Sequence, residues 1–322
     1  METRKLISFG SSSYVISVPK SWVKENKLQK GDLVHIENKK NELAVYPSAV
    51  VRQEEPRRVF IDIDNKALEL VQTQIVSAYL KGYDVIDLKG ESLEAQAPKI
   101  KAILRSLTGL EIVQQSANRI TAKDLLNIRE ISISTMMRRM DNIIRSMIID
   151  AIDCVKHCHY QSLLERDADL NRLAFLTFRV IRSALADPVL TKVLNMNHVE
   201  LLFNWVIAMH MEKIGDQAKR ISRHVSGLHL TTEEEAGFCA LFSAIYQDYL
   251  QVMKAYYKRD MQLAYDIDLG NRKRLAESKE YLNLLHGDIK TEMTRAIDHL
   301  KSMRTDIKML ARAVMNSDEN VL

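Results

Sequence analysis

The residues best placed to do chemistry are Glu212 and Asp216, within Met211-Glu212-Lys213-Ile214-Gly215-Asp216-Gln217-Ala218-Lys219-Arg220-Ile221. A four-residue step puts both carboxylates on one helical face, where like charges are mildly destabilising unless a cation answers them. Two answers are open. One is a hard metal ion held by several oxygen ligands, of which a single pair supplies only half. The other is a solvated charge ladder with Lys213, Lys219 or Arg220. A second word weighs less. Cys154-Val155-Lys156-His157-Cys158-His159 places thiols and imidazoles at helical steps, a chemistry that suits zinc or iron. The one other cysteine is Cys239, so a second ligand pair is missing and idle thiols on a Met-rich helix are the simpler reading. There is no Gly-rich phosphate cradle and no Ser-His-Asp or Cys-His word. A carboxylate-bound metal can activate water for phosphoester hydrolysis, but without a convergent nucleophile no enzyme activity is expected and no catalytic residue is assigned.

The elements that must position the carboxylates are helices. Leu201, Leu202, Trp205, Val206, Met209, Ile214, Ala218 and Ile221 recur at three- and four-residue steps, which describes one long amphipathic helix. It opens with the capping-box-like Asn197-His198-Val199-Glu200 and ends near Gly227. Before it, Asp124 is expected to cap a helix running through Met136 and Met147 to Val155, and another runs from about Leu163 to Ala186, stopped by Asp187-Pro188. The pattern then restarts with a capping box at Thr232-Glu233-Glu234-Glu235, a helix through Phe238 to Tyr256, and two more over about 262–285 and 290–316. Three helices followed by three make an internal repeat, about 125–227 and 231–317, within a helical domain 125–317.

The run Glu212 to Ile221 resembles the Glu-Arg-Ile-Gly-Asp-His-Ala-x-x-Ile signature of PhoU proteins, regulators of phosphate uptake built from two three-helix bundles. That resemblance implies a bundle-surface site for a metal such as iron, zinc, magnesium or manganese. The second helix offers Glu165, Asp167 and Asp169, with Glu165 and Asp169 four apart on one face and Asn171 where a family carboxylate stands. These acids are expected to meet Glu212 and Asp216 across the bundle, Glu165 and Asp169 being the pair assigned to the metal. In the second repeat Asp306 lies 90 residues beyond Asp216, but Ser302 stands at the Glu position and Thr305 at the Gly position. One working site and one degraded site, the latter keeping Asp306, are therefore expected. The family also implies docking on a phosphate transporter ATPase or a signalling protein.

At the other end of the chain, residues 1–50 read as a β-α-β-β unit. Strands within Arg4–Val18 are broken by Gly10-Ser11-Ser12-Ser13, and Pro19 suits the first turn of a short helix. Lys30-Gly31-Asp32 turns into Leu33–Glu37, and Asn38-Lys39-Lys40-Asn41 closes a hairpin onto Glu42–Pro47. So small a unit can hardly bury a core of its own, and dimerisation is the remedy. The words Gly10-Ser11-Ser12-Ser13-Tyr14-Val15-Ile16-Ser17-Val18-Pro19-Lys20-Ser21-Trp22 and Leu28-Gln29-Lys30-Gly31-Asp32-Leu33-Val34, with Arg4-Lys5, resemble the AbrB/SpoVT family. There, two units interleave hairpins into one small DNA-binding barrel. The resemblance assigns Arg4, Lys5 and Lys20 to the duplex, with Ser11, Ser12 and Ser13 as donors to phosphate. Such contacts give salt-dependent, sequence-blind affinity. A unit that only dimerises the protein is the alternative.

Between these parts, after a charged linker ending in Pro56-Arg57-Arg58, residues 57–124 read as a β-α-β-α-β-β layer. Asn65 is expected to cap its first helix, and Gly82 and Gly109 stop its two helices. Nothing in it resembles a reaction centre, and coupling or dimerisation is its expected role. The full order is similar to archaeal fusions of AbrB and PhoU modules. The fold class expected is thus multidomain and mainly α: a swapped-hairpin β-barrel, dimeric and AbrB-like, then a small α+β middle domain, then a PhoU-like pair of three-helix bundles.

Composition agrees with a globular protein. The 322 residues are 46 % apolar and 27 % charged, with net charge +4, which permits a nucleic-acid partner without demanding one. With three cysteines, no signal-peptide pattern and no apolar run of membrane-spanning length, the protein is expected in the cytoplasm without membrane insertion. The function expected is phosphate uptake regulation by a DNA-binding, metal-sensing homodimer, the alternative being an adaptor for a transporter ATPase or signalling partner.

Overall fold

Among the described residues the first unit holds two hairpins and one helix. The computed structural model describes residues 2–39, 42–47, 56–157 and 160–317 and divides the chain into Met1–Glu55 and Pro56–Leu322. Strands β1 (Ile7–Phe9) and β2 (Ser13–Val15) pair antiparallel, Ile7 opposite Val15, across a turn that needs Gly10 at φ +71°. Helix α1 (Lys20–Glu25) begins one residue after Pro19. Strands β3 (Val34–Lys39) and β4 (Glu42–Pro47) form the second hairpin, in register from Val34–Pro47 to Lys39–Glu42; its expected turn, Lys40-Asn41, lies outside the described residues. The hairpins are separate two-stranded sheets, and the described residues form no closed barrel. None of this unit's described side chains is buried.

The second unit begins with β5 (Arg58–Asp62), α2 (Leu68–Leu80), β6 (Val85–Lys89), α3 (Leu93–Arg105), β7 (Leu110–Ser116) and β8 (Arg119–Asp124). Sheet order is β5-β6-β8-β7: β5 and β6 are parallel across the α2 crossover, and the β7–β8 hairpin adds antiparallel to β6. Ile61, Ile63, Ile86, Leu88 and Ile120 meet Val71, Ile75, Ile100 and Leu104 of α2 and α3 in a core of their own. On the opposite face, Asp87 is fully buried between Arg58 at 2.8 Å, Arg119 at 2.7 Å and Thr121 at 2.6 Å. Asn65 does not cap α2. It sits in a left-handed turn at φ +57°, and Ala67 precedes the helix without a side-chain cap.

Helices follow: α4 (Ile133–Asp153), α5 (Tyr160–Ala186), a short α6 (Pro188–Val193), α7 (His198–Val225), α8 (Thr232–Lys258), α9 (Met261–Leu269), α10 (Asn271–Leu284) and α11 (Gly287–Met315). Reciprocal caps start two of them, Asn197 with Glu200 on α7 and Thr231 with Glu234 on α8. Asp124 does not cap α4; Ser132 does, and Asp124 is engaged by Arg179 instead. The expected helix over 262–285 is broken at Gly270, where Arg304 of α11 donates at 3.0 Å to the Ile267 carbonyl at the end of α9. Helices α4, α5 and α7 pack on one another, as do α8, α9 and α11, and α7–α11 and α4–α8 contacts join the sets around one continuous core. Among the described residues no helix is long and apolar enough to cross a membrane.

Candidate functional site

The signature lies midway along α7, and its glycine explains how close α7 comes to α5. A Cβ on Gly215 would lie 2.2 Å from Leu170 Cδ2, so only a hydrogen leaves room for the leucine. That approach brings the polar face of α7 against one carboxylate of α5. Lys219 Nζ sits 2.8 Å from Asp167 and 2.8 Å from Asp216, and Arg220 Nε lies 2.6 Å from the other Asp216 oxygen. Burial alone would raise the Asp216 carboxyl, but the hydrogen bonds and charges of Lys219 and Arg220 carry it below its ordinary range. Burial would likewise lower Lys219, and the hydrogen bonds and charges of Asp167 and Asp216 hold it above its ordinary value. Glu212, half-buried, is pushed up by desolvation and then by the charges of Asp216 and Asp167.

The acid of α5 that faces Asp216 is Asp167, not Glu165 or Asp169. Those two flank Asp167 by two residues, about 200° around a helix, and both are exposed, Asp169 pairing with Arg172 at 3.1 Å. The signal was in the sequence: Leu163, Asp167, Leu170 and Ala174 share the phase of the buried stripe. Asn171 donates to Asp167 at 3.3 Å. Asp306 is distant in role. Its carboxylate accepts from His210 Nδ1 at 2.8 Å, both side chains nearly buried in the α7–α11 seam. Two more histidines line that seam, His224 on Glu292 and His299 on Gln217, each at 2.8 Å, with their rings stacked 5.5 Å apart.

These donors do not fit a metal ion as they stand. A hard cation needs several free oxygens, whereas a protein ammonium occupies the space between Asp167 and Asp216. Among the described residues no three His, Cys, Asp or Glu side chains converge as a cation site. Of the Cys154 word, Cys154 is buried and His157 bonds Asp153 at 3.2 Å, while Cys158 and His159 lie outside the described residues.

In the first unit, Arg4, Lys5, Ser11, Ser12, Ser13 and Lys20 are all exposed. Arg4 pairs with Glu2, and Ser13 Oγ donates to the Phe9 carbonyl at 2.6 Å, which tightens the β1–β2 turn. Beside this polar edge stand large apolar side chains facing solvent, among them Leu33 at 76 %, Phe9 at 69 % and Tyr14 at 68 % exposure. Residues 7–53 match the family model described as antidote-toxin recognition MazE, bacterial antitoxin. The first unit is therefore similar to MazE/AbrB-type domains, and the match does not extend into the helices. No curated protein and no solved structure matches the chain.

Proposed function

We propose that the chain is a DNA-binding transcriptional regulator of phosphate uptake that dimerises through its first unit, with its helices serving as a PhoU-like sensing or docking body. One observation carries the dimer: a unit without a single buried described side chain exposes Leu6, Ile7, Phe9, Tyr14, Ile16, Leu33, Ile36 and Leu43 together. Apolar exposure on that scale marks an interface. A second copy that interleaves its hairpins would cover these side chains and close a barrel, leaving Arg4, Lys5 and Lys20 of both copies for one duplex. The family match supports the same reading. The phosphate assignment rests on the signature of α7. No metal enters this reading, since Lys219 and Arg220 already balance Asp167 and Asp216.

The test joins light scattering of the full chain to mobility shifts on duplexes from upstream of phosphate-transport genes. A dimer that prefers those duplexes is expected. With Lys5→Gln and Lys20→Gln, four fewer phosphate contacts per dimer flatten the log–log salt dependence by about 3.6. A dimer with equal, weak binding to any duplex refutes the DNA reading and leaves the adaptor, docked on a transporter ATPase or signalling protein. A monomer refutes both.

A further inference from the structure

Among the described residues the sheet of the second unit ends on one side at β5, whose outer backbone groups have no strand to join. Ile63 N–H donates to the Lys89 carbonyl at 2.9 Å, and the Arg57 carbonyl accepts from Val85 N–H at 3.2 Å. Along a strand the backbone groups of successive residues face opposite sides. The odd-numbered groups therefore serve β6, and the N–H and C=O of Arg58, Phe60 and Asp62 point away from it. The Asp62 carbonyl accepts from Lys66 Nζ at 2.5 Å, which takes one of its two lone pairs. The opposite edge, β7, is blunted: its register slips between Ile112 and Gln114, and the polar Gln114-Gln115-Ser116 follows. β5 has no such slip, pairing in regular register from Arg58–Val85 to Asp62–Lys89.

The side chains of β5 say what fits beside it. Arg58-Val59-Phe60-Ile61-Asp62 is complementary to its own reverse. Laid antiparallel on a second copy with Phe60 opposite Phe60, the strand sets Arg58 opposite Asp62 on both sides of the centre and Val59 opposite Ile61. Val59 and Ile61 belong to the face that meets α2 and α3, so Arg58, Phe60 and Asp62 share the open face, where Phe60 is 60 % exposed. Among the described residues Asp62 makes no ion pair, and Arg58 engages Asp87 through Nη1 at 2.8 Å. Opposite charges and aromatic rings directly across an antiparallel pair stabilise it, whereas like charges oppose it. We propose that β5 pairs antiparallel with β5 of a second copy, Phe60 lying on the two-fold axis, so that the two four-stranded sheets run on as one. Phe60 N–H and C=O then exchange hydrogen bonds with their counterparts, and Arg58 does so with Asp62 on either side. No residue of the first unit takes part, so this contact is separate from the hairpin exchange proposed above.

Mild oxidation of full-length Phe60→Cys, read on non-reducing gels, tests it. Residues directly opposite in a hydrogen-bonded antiparallel pair have Cα atoms about 5.5 Å apart, within the reach of a disulfide. Covalent dimer above the wild-type level is expected from Phe60→Cys and not from Val113→Cys, which puts an exposed thiol on the opposite edge. Adding Asp62→Lys sets like charges against Arg58 and is expected to abolish the crosslink. Adding Phe9→Asp with Leu33→Asp disrupts the apolar surface of the first unit and is expected to leave the crosslink in place, which separates this interface from that one. Crosslinking of Phe60→Cys no greater than that of Val113→Cys overturns the proposal. So does a crosslink that Asp62→Lys leaves intact or that the first-unit variant removes. In the unsubstituted chain, the Phe60 amide is expected to gain protection from hydrogen exchange as protomer concentration rises, since its N–H has no partner within its own sheet. Free exchange of that amide at every concentration overturns the pairing as well.

Discussion

Replacing Asp124 by asparagine isolates the buried ion pair that ties the α+β layer to the helices. Asp124 ends β8 and Arg179 lies 55 residues on, in α5; their side chains are 7 % and 1 % exposed. The guanidinium also lies over the Tyr79 ring at 4.5 Å, and the Tyr79 hydroxyl donates at 2.9 Å to the Thr108 carbonyl. Arg179 Nε and Nη1 have no hydrogen-bond partner among the described residues, so Asp124 supplies most of what compensates the buried charge. An isosteric amide keeps the shape and removes the charge. Breaking one side of such a pair costs about 3–5 kcal/mol, whereas replacing both partners by apolar groups is often neutral or stabilising. Asp124→Asn should therefore lower the opening free energy of β6 and α2 amides in native-state hydrogen exchange by that amount. Arg179→Met with Asp124→Leu should recover most of it. Exchange is the suitable assay because it reads the opening of β6 and α2 separately from that of the rest of the chain. A loss under about 1 kcal/mol in Asp124→Asn, or a double variant weaker than both singles, would refute the claim that an uncompensated charge is what costs.

Two further outcomes bear on the signature. Gly215→Ala gains up to about 1 kcal/mol of helix propensity, but the methyl meets Leu170 at 2.2 Å and Met147 Sδ at 3.6 Å, so overpacking of about 1–3 kcal/mol should prevail. A melting temperature at or above wild type would contradict the close α5–α7 approach. For Glu212, a folded-state pKa raised by burial and by Asp216 and Asp167 means that its ionised form opposes folding. Its contribution is fully favourable below its unfolded value near 4.5 and is lost as pH rises through the folded one. Glu212→Gln should thus melt higher than wild type at pH 7, the gap closing toward pH 4.5; a variant less stable at pH 7 contradicts the sign.

What could be read from the sequence was local. The turn at Gly10, the cap at Asn197 with Glu200 and the stop at Asp187-Pro188 involve residues within a few positions of one another, and each is where its residue types dictate. What could not be read was the choice of partner across long separations. Asp124 and Asn65 have the residue types of helix caps, and cap chemistry alone says nothing of an arginine 55 residues away or of a left-handed turn. Gly270 is an ordinary helix weakness until Arg304 takes the Ile267 carbonyl. At the site, the spacing of Glu165 and Asp169 mimicked that of Glu212 and Asp216, yet spacing does not fix phase. The apolar stripe does, and it selects Asp167.

The two units differ in what they require from outside themselves. Around Asp167 and Asp216 the helices carry their own cations, so their charge balance is intramolecular and independent of any captured ion. In the first unit none of the described side chains is buried, and in the proposed dimer its stability comes from association and rises with protomer concentration. Duplex affinity in the proposed reading is then linked to the dimer equilibrium, because only the paired state presents both sets of basic residues. A signal received by the helices needs only to favour the paired state to increase DNA occupancy, and its effect is bounded by its own difference in affinity for the two states.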